Sequence, residues 1–205
     1  MCTLKQIQGV ELEILSTAVN ILERHRIPYY LVYGSCLGAI RHGGIIPWDD
    51  DVDIGLFRKD YESARNIFME ELPYGFTYCD RFTEKEYPYN FAKIRKDNTA
   101  FVHAGDAHLK IHHGMYIDLF PLDDSPACIT SFYKHYKKVK LLRQLVDLKC
   151  MDYKKYHTKR PLWQLPLICI SHLLFNKKHL QDALDREIQK FSAPSSGAEI
   201  GRAHV

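Results

Sequence analysis

Four aspartates occur within five residues near the end of the first quarter of the chain, and this density of negative charge constrains the fold more than any other feature. The run reads Asp49, Asp50, Asp51, Val52, Asp53. Carboxylates at this spacing repel one another and cost folding free energy unless a cation neutralises them. Carboxylate oxygens suit Mg²⁺ or Mn²⁺, which in turn hold phosphate-bearing substrates. The sequence therefore predicts a Mg²⁺ or Mn²⁺ site, and a solvent-exposed acidic turn is the alternative.

The acidic run also has the alternation of a β-strand, predicted over residues 51–57. In a strand, Asp51 and Asp53 lie on one face and the apolar residues between and after them enter the core. Asp49 has the same parity and is included among the candidate metal ligands. A calcium loop of the EF-hand type is excluded, because the required glycine and distal glutamate are missing after Asp49.

A second candidate element precedes the acids. The β-branched and aromatic residues 29–33 predict a buried strand, Gly34 and Ser35 follow it, and residues 35–41 predict a short helix. A strand, a Gly-Ser turn and a helix start can offer backbone N–H groups and a hydroxyl to a phosphate. Gly34 and Ser35 are therefore predicted to bind substrate close to the acids.

At this point the sequence resembles a known family. The run from Tyr33 to Phe57, YGSCLGAIRHGGIIPWDDDVDIGLF, is similar to the signature of the LicD family, which includes fukutin and fukutin-related protein. Residues 93–99 and 116–123 resemble later blocks of that family, so the likeness covers roughly residues 10–125. The family belongs to the nucleotidyltransferase-fold superfamily.

The resemblance implies a role for a third acid. Asp118 lies in an apolar, strand-like run, where a carboxylate is costly if it is buried without a partner. In the fold that the resemblance implies, Asp118 on a neighbouring strand completes a metal site with Asp51 and Asp53, and these three are the predicted catalytic acids. An aspartate that faces water at a strand end is the alternative.

The resemblance further implies transfer of phosphocholine, or a similar phospho-alcohol, from a CDP-linked donor. CDP-choline is the expected donor, a sugar hydroxyl of a cell-surface glycan or glycolipid is the acceptor, and CMP is released.

Two alternatives to this function stay open. One is a nucleotidyltransferase that moves a nucleotide to a small molecule or protein and releases pyrophosphate, and the other is a non-catalytic binding protein. Nucleic acid is not expected as a partner, since no stacking motif accompanies the basic residues.

Four further residues are candidates for substrate binding. Lys93 and Arg95 alternate with an apolar residue, so both can point into a cleft towards phosphate oxygens, or they are ordinary exposed bases on an amphipathic strand. Arg41 and His42 precede two glycines in a predicted mobile loop, where they can bind substrate or protonate a leaving group. A plain surface position is the alternative for His42. Aromatic residues such as Tyr87 and Tyr89 pack in the core, or they form a box around a quaternary ammonium group.

The pattern along the chain predicts an α+β fold: a mixed sheet of the nucleotidyltransferase type with flanking helices and a helical C-terminal extension. We predict a catalytic core over 1–125, a basic and amphipathic helical part over 126–192, and a disordered or artefactual tail over 193–205. The predicted elements are helices over 4–26, 35–41 and 59–72, strands over 29–33, 51–57, 74–79, 91–95, 100–103 and 114–120, and helices after residue 126. Thr3 and Gln6 predict a capping box.

Charge and cysteine usage indicate where the protein works. Residues 131–160 carry ten Lys or Arg against two Asp, a balance of +8, although the whole chain carries +3. An apolar stretch too short to span a bilayer follows over 161–175, which predicts docking on an anionic membrane surface or a solvated helical face. Six scattered cysteines and an N-terminus without a signal peptide predict a cytoplasmic protein, peripheral on the inner face of the membrane. The last six residues resemble a translated sequencing adapter, so we expect the native C-terminus to be missing.

Overall fold

The computed structural model describes residues 3–150 and 176–192, and within them the chain forms two compact units. The first unit comprises the described residues up to Val102 together with 110–122, and the second comprises 103–109 and the described residues from Asp123 onwards. The apolar stretch 161–175 and the predicted tail 193–205 lie outside the described residues, as does the C-terminal part of the basic segment.

The elements of the first unit follow the predicted α+β order, and the predicted fold class is confirmed. They are α1 (Leu4–Arg24), β1 (Tyr30–Leu31), α2 (Tyr33–His42), β2 (Asp53–Phe57), α3 (Arg58–Glu71), β3 (Phe76–Cys79), β4 (Ala92–Lys96) and β5 (Tyr116–Leu122). The second unit contains α4 (Ile129–Cys150), α5 (Lys177–Ile188) and a 3₁₀ turn (Gln189–Phe191).

The five strands form one mixed sheet in the order β1-β2-β5-β4-β3. Strands β2 and β5 run parallel, and the other neighbouring pairs run antiparallel. A parallel pair needs a crossover connection, and α3, β3 and β4 lie within the chain between β2 and β5. This arrangement puts the start of the acidic strand β2 beside the start of β5.

The core of the first unit lies between the sheet and helix α1. Ile54, Ile94 and Ile117 are fully buried in three neighbouring strands, and Ile14 and Leu22 of α1 are equally buried in the same cluster. Apolar residues at helical spacing form the buried face of α1. The predicted capping box is present, since the Thr3 hydroxyl accepts from the Gln6 backbone N–H and Gln6 accepts from the Thr3 N–H. Helix α1 is thus fixed against the strands that carry the acids.

Besides the acidic strand, three predicted strands are shorter than expected or absent. The strand predicted over 29–33 is limited to Tyr30–Leu31, because Tyr33 has φ 49° and begins α2. The strand predicted over 74–79 begins only at Phe76, and Tyr74 is fully exposed. The strand predicted over 100–103 does not form, and Phe101 instead donates one backbone hydrogen bond to the carbonyl of His113.

The second unit has a small apolar core of its own between α4 and α5. Val139 and Val146 of α4 pack with Leu180 and Leu184 of α5. Beside them Glu187 is buried, and Lys138 Nζ donates to its carboxylate over 2.5 Å. Burial alone would raise the pKa of Glu187, but the bond and charge of Lys138 hold that pKa below its usual value. Among the helices of the described ranges, none combines the length and the apolar character needed to cross a membrane.

Candidate active site

Three of the aspartates form a compact group in the segment just before β2. One carboxylate oxygen from each of Asp49, Asp50 and Asp51 lies within 4.8 Å of the other two. Asp51 was predicted in the strand, but β2 begins at Asp53, so Asp51 lies in the preceding loop. Asp50 was not predicted as a ligand, because in a strand its side chain would lie on the face opposite Asp49 and Asp51. In a loop this parity argument does not apply.

The other two acids face each other across the parallel strands. Asp53 and Asp118 are register partners in the β2–β5 pair, and each is 7% exposed. The Asp53 backbone N–H donates to Ser35 Oγ over 2.8 Å, which ties the first turn of α2 to the start of β2. Asp53 and Asp118 lie outside the close group of Asp49–Asp51 within the described chain. Their roles as metal ligands and catalytic acids stay predictions.

The acids nevertheless interact electrostatically as one cluster. Burial, followed by the charges of Asp51 and Asp118, raises the pKa of Asp53 to about 7, although Lys93 opposes the change. Burial, followed by Asp49, Asp118 and Asp50, raises the pKa of Asp51 to about 6. Buried and partly buried carboxylates that raise each other's pKa in this way are poorly neutralised by the protein itself. Their oxygen donors and net charge fit a hard divalent cation such as Mg²⁺ or Mn²⁺.

Sequence reasoning missed a sixth carboxylate, which helix α1 contributes. Glu11 is 3% exposed, and its Oε2 has no hydrogen-bond partner within the described residues. Burial, followed by the charges of Asp51, Asp50, Asp49 and Asp118, raises the pKa of Glu11 to about 8. The available signal was its position: an acid stands where the buried stripe of α1, continued by Ile14, Ala18 and Leu22, requires an apolar residue.

Gln8 connects the same helix to the acidic loop. Its side-chain Nε2 donates to the carbonyl of Ile46 over 3.1 Å and to that of Asp49 over 2.9 Å. Both acceptors are backbone atoms of the segment that leads into the aspartate group. Helix α1 therefore fixes the path of the loop that carries Asp49.

Lys93 lies within the cluster as an internal counter-ion. The residue is 2% exposed, and its Nζ donates to Asp118 Oδ1 over 2.5 Å. The ammonium also lies 3.4 Å from the ring centroid of Tyr116, 5.0 Å from that of Tyr89 and 5.3 Å from that of Phe91. The rings therefore lie around a cation of the chain itself, because the faces of aromatic rings attract cations. The predicted contact of Lys93 with phosphate stays a prediction, and the alternative of an exposed base is wrong.

Arg95 is buried as well, so the alternative of an exposed base is wrong for this residue too. It is 2% exposed, its Nη1 donates to the carbonyl of Gly114 over 2.8 Å, and its guanidinium lies 5.0 Å from the centroid of Tyr116. The structure gives Arg95 a contact with the segment that leads into β5. Its predicted role in substrate binding is not tested by these contacts.

The residues before the acids are only partly where the sequence predicts. Arg41 and His42 form the exposed last turn of α2 rather than a loop, and Gly43 ends the helix at φ 66°. The His42 ring lies 5.8 Å from the exposed ring of Trp48, centroid to centroid, in an edge-on contact. Gly34 and Ser35 lie in the first turn of α2, directly after Tyr33, whose positive φ is strained for a bulky residue.

Gly34 is closely matched to the acidic loop, and replacing it is expected to disturb the predicted metal site. A Cβ at Gly34 would lie 2.7 Å from Asp49 Oδ2, so Gly34→Ala must displace that carboxylate. We expect the affinity for Mn²⁺, measured by titration calorimetry, to fall by about tenfold. Gly9→Ala is the matched control, since a Cβ at Gly9 meets no heavy atom within 4 Å. Unchanged Mn²⁺ affinity in Gly34→Ala would contradict the placement of Asp49.

The raised pKa values predict how stability depends on pH. In the folded protein Glu11, Asp53 and Asp51 have pKa values of about 8, 7 and 6, against ordinary values of 4.5 and 3.8. The folded state therefore binds more protons, and without metal the free energy of unfolding should rise as pH falls from about 8.5 to about 5.5. Urea titrations in EDTA measure this slope. Glu11→Gln leaves all histidines unchanged, so their titration contributes equally to both proteins. The variant should show a flatter slope than the wild type, and equal slopes would contradict the prediction.

The fold and site together define a class of protein. A mixed sheet with paired acids at the start of two parallel strands, beside a Gly-Ser turn that opens a helix, is the arrangement expected of a nucleotidyltransferase-type domain. The family profile described as LicD/FKTN/FKRP, nucleotidyltransferase domain, matches residues 26–161. The chain therefore belongs to the LicD family, and the predicted family is confirmed.

Individual relatives show the same likeness. The chain is 29% identical over 180 residues to the lipopolysaccharide cholinephosphotransferase LicD of Haemophilus influenzae, covering 85% of this chain and 64% of that protein. It is 47% identical over 49 residues to human ribitol 5-phosphate transferase FKRP, covering 24% of this chain and 10% of that protein. Human ribitol-5-phosphate transferase FKTN is 43% identical over 51 residues, 25% of this chain and 11% of that protein. The chain thus spans less than two thirds of the length of each of these relatives.

Proposed function

We propose that the protein transfers a phospho-alcohol, phosphocholine in the first instance, from a CDP-linked donor to a sugar hydroxyl of a glycan or glycolipid and releases CMP. The names of the relatives support phospho-alcohol transfer, because one is a cholinephosphotransferase and others are ribitol-phosphate transferases. The observation that carries the proposal is the placement of Asp53 directly opposite Asp118, within the electrostatic reach of Asp51.

In this proposal Asp49, Asp51, Asp53 and Asp118 would hold Mg²⁺ or Mn²⁺. The ion would supply positive charge to neutralise the diphosphate of the donor and the charge that develops during transfer. The chain's own groups do the rest. The first turn of α2, with Gly34 and the Ser35 hydroxyl, offers polar groups to the phosphate at a helix N-terminus.

The transfer itself needs one bond formed and one bond broken. The acceptor hydroxyl oxygen attacks the phosphorus that carries the alcohol, the bond from that phosphorus to the CMP oxygen breaks, and the leaving phosphate takes the electron pair. The hydroxyl proton passes to a carboxylate of the cluster, which we assign to Asp118. Lys93, bound to Asp118 Oδ1, fixes the orientation of this carboxylate.

A donor panel tests the proposal. The protein is incubated with Mg²⁺, lipopolysaccharide as acceptor, and CDP-choline, CDP-ribitol or CDP-glycerol, and the products are identified by mass spectrometry. We expect CMP and a phospho-alcohol on the glycan with at least one donor, and no product in EDTA. Release of pyrophosphate from CTP with transfer of the nucleotide would establish the rival nucleotidyltransferase instead. If neither product forms with any donor, the enzymatic proposal is wrong.

We also propose that the second unit lies against an anionic membrane, which would bring the enzyme to a glycolipid acceptor. Helix α4 carries exposed bases that support this, among them Lys134, Lys137 and Lys140. Basic residues near a membrane surface are attracted to anionic lipids and less so at high salt. Flotation with phosphatidylserine vesicles, compared with phosphatidylcholine vesicles, tests it. Equal flotation with both would refute it.

A further inference from the structure

Helix α1 places a buried acid beside the aspartates, and the proposed function assigns it no task. Glu11 is 3% exposed, and its Oε2 is shielded from solvent without a hydrogen-bond partner in the described part of the chain. A buried carboxylate oxygen costs free energy unless a donor or a cation reaches it. The unsatisfied oxygen therefore indicates a ligand that the protein atoms do not supply.

The position of Glu11 on the helix directs it towards the acidic loop. Gln8 lies three residues earlier, and residues three apart share one face of a helix. The Gln8 amide bonds the Asp49 carbonyl over 2.9 Å, so this face of α1 meets the loop. Glu11 accordingly interacts with the charges of the aspartate group and with that of Asp118.

The negative charge around Glu11 gives a second reason to expect a cation. Glu11 and the five aspartates carry six negative charges when all are ionised, and the ammonium of Lys93 supplies one positive charge at Asp118. A further carboxylate in this group disfavours binding of a phosphate that arrives without a cation. It favours binding of a hard cation, which takes oxygen ligands and retains waters that can reach further acceptors.

We propose that Glu11 is a further residue of the metal site, whose carboxylate contributes to binding the divalent cation held by the aspartates. The inference rests on the metal dependence proposed above and adds helix α1 to the site. Glu11 then acts by binding the cation, whereas Gln8 acts as a positioning residue through the loop backbone.

The test measures binding of Mn²⁺ alone, without donor or acceptor, by titration calorimetry on the full chain. We expect Glu11→Gln to raise the Kd for Mn²⁺ by about 10- to 100-fold. Glu13→Gln is the matched control on the same helix, because Glu13 is half-exposed and pairs with Lys96. Its Kd should stay within about twofold of the wild-type value, since exposed pairs contribute little.

The outcomes separate the two proposals. Wild-type affinity in a folded Glu11→Gln protein overturns the role of Glu11 alone, and the donor panel still decides the transferase proposal. A wild-type chain that binds no Mn²⁺ overturns the metal site together with this inference. If circular dichroism shows that Glu11→Gln does not fold, Glu11→Met, an unbranched apolar substitute for a buried position, is measured in its place with the same expected loss.

Discussion

Replacing Asp53 by Asn is expected to lower the rate of CMP release, from the donor that the panel identifies, by about a thousandfold or more. Asp53 faces Asp118 across the parallel strands and is 7% exposed, so asparagine there removes a buried negative charge at the centre of the acid pair. Loss of one ligand in a metal-dependent phosphoryl transfer removes several kcal/mol of transition-state stabilisation, and about 4 kcal/mol corresponds to a thousandfold change in rate. The fold should persist, because the bond to Ser35 Oγ comes from the backbone N–H of residue 53.

The measurement is CMP release at saturating donor, with circular dichroism as the check on folding. Asp60→Asn is the matched control, since Asp60 lies in the first turn of α3 and interacts with the dipole of that helix. We expect its rate to stay within about twofold of the wild-type rate, with a loss of stability below about 1 kcal/mol. An Asp53→Asn protein that retains more than about a tenth of the wild-type rate would contradict the role of the acid pair.

Replacing Lys93 by Met is expected to destabilise the metal-free protein by about 3–5 kcal/mol. The substitution leaves the carboxylate of Asp118 buried without the ammonium that now lies 2.5 Å from it. It also removes the charge that opposes the raised pKa of Asp53, so the repulsion among the acids grows. Urea titration in EDTA measures the free energy of unfolding.

Two further variants show whether the loss comes from the buried charge. Lys93→Met combined with Asp118→Asn should lose less stability than Lys93→Met alone, because the orphaned charge is then absent. Lys96→Met changes a lysine in the same strand that pairs with the half-exposed Glu13, and it should cost at most about 1 kcal/mol. If Lys93→Met and Lys96→Met have the same stability, Lys93 is not the counter-ion of the cluster.

The order of the first unit was predictable from sequence because its periodic patterns agree with its packing. Apolar residues recur in α1 at helical spacing, and the alternation around Ile54 and Ile94 marks strands whose side chains are fully buried. Strand ends were less predictable. The aromatic Tyr33 favours a strand by composition, yet its backbone at φ 49° turns the chain into α2. Local propensity carries no information on such a turn, which is fixed by tertiary packing.

The site was predictable only as far as neighbouring residues in the sequence specify it. Asp51 and Asp53 follow from a motif, but the close group with Asp50 depends on a loop path that strand parity misdescribes. Glu11 is far from the motif, and its place in the apolar stripe of α1 indicates burial but not which residues lie beside it. Lys93 resembles a base on an exposed strand, and only the register between β4 and β5 brings it to Asp118. Contacts between distant segments therefore account for most of what the sequence did not reveal.

The amide of Gln8 has a practical consequence for anyone who trims this protein. The family profile starts at residue 26, so a fragment cut at that boundary would contain every aspartate of the cluster. It would lack both side-chain bonds that tether the carbonyls of Ile46 and Asp49, along with the buried acid one turn further on. A fragment that keeps these tethers must therefore begin before Gln8, ahead of the recognised domain.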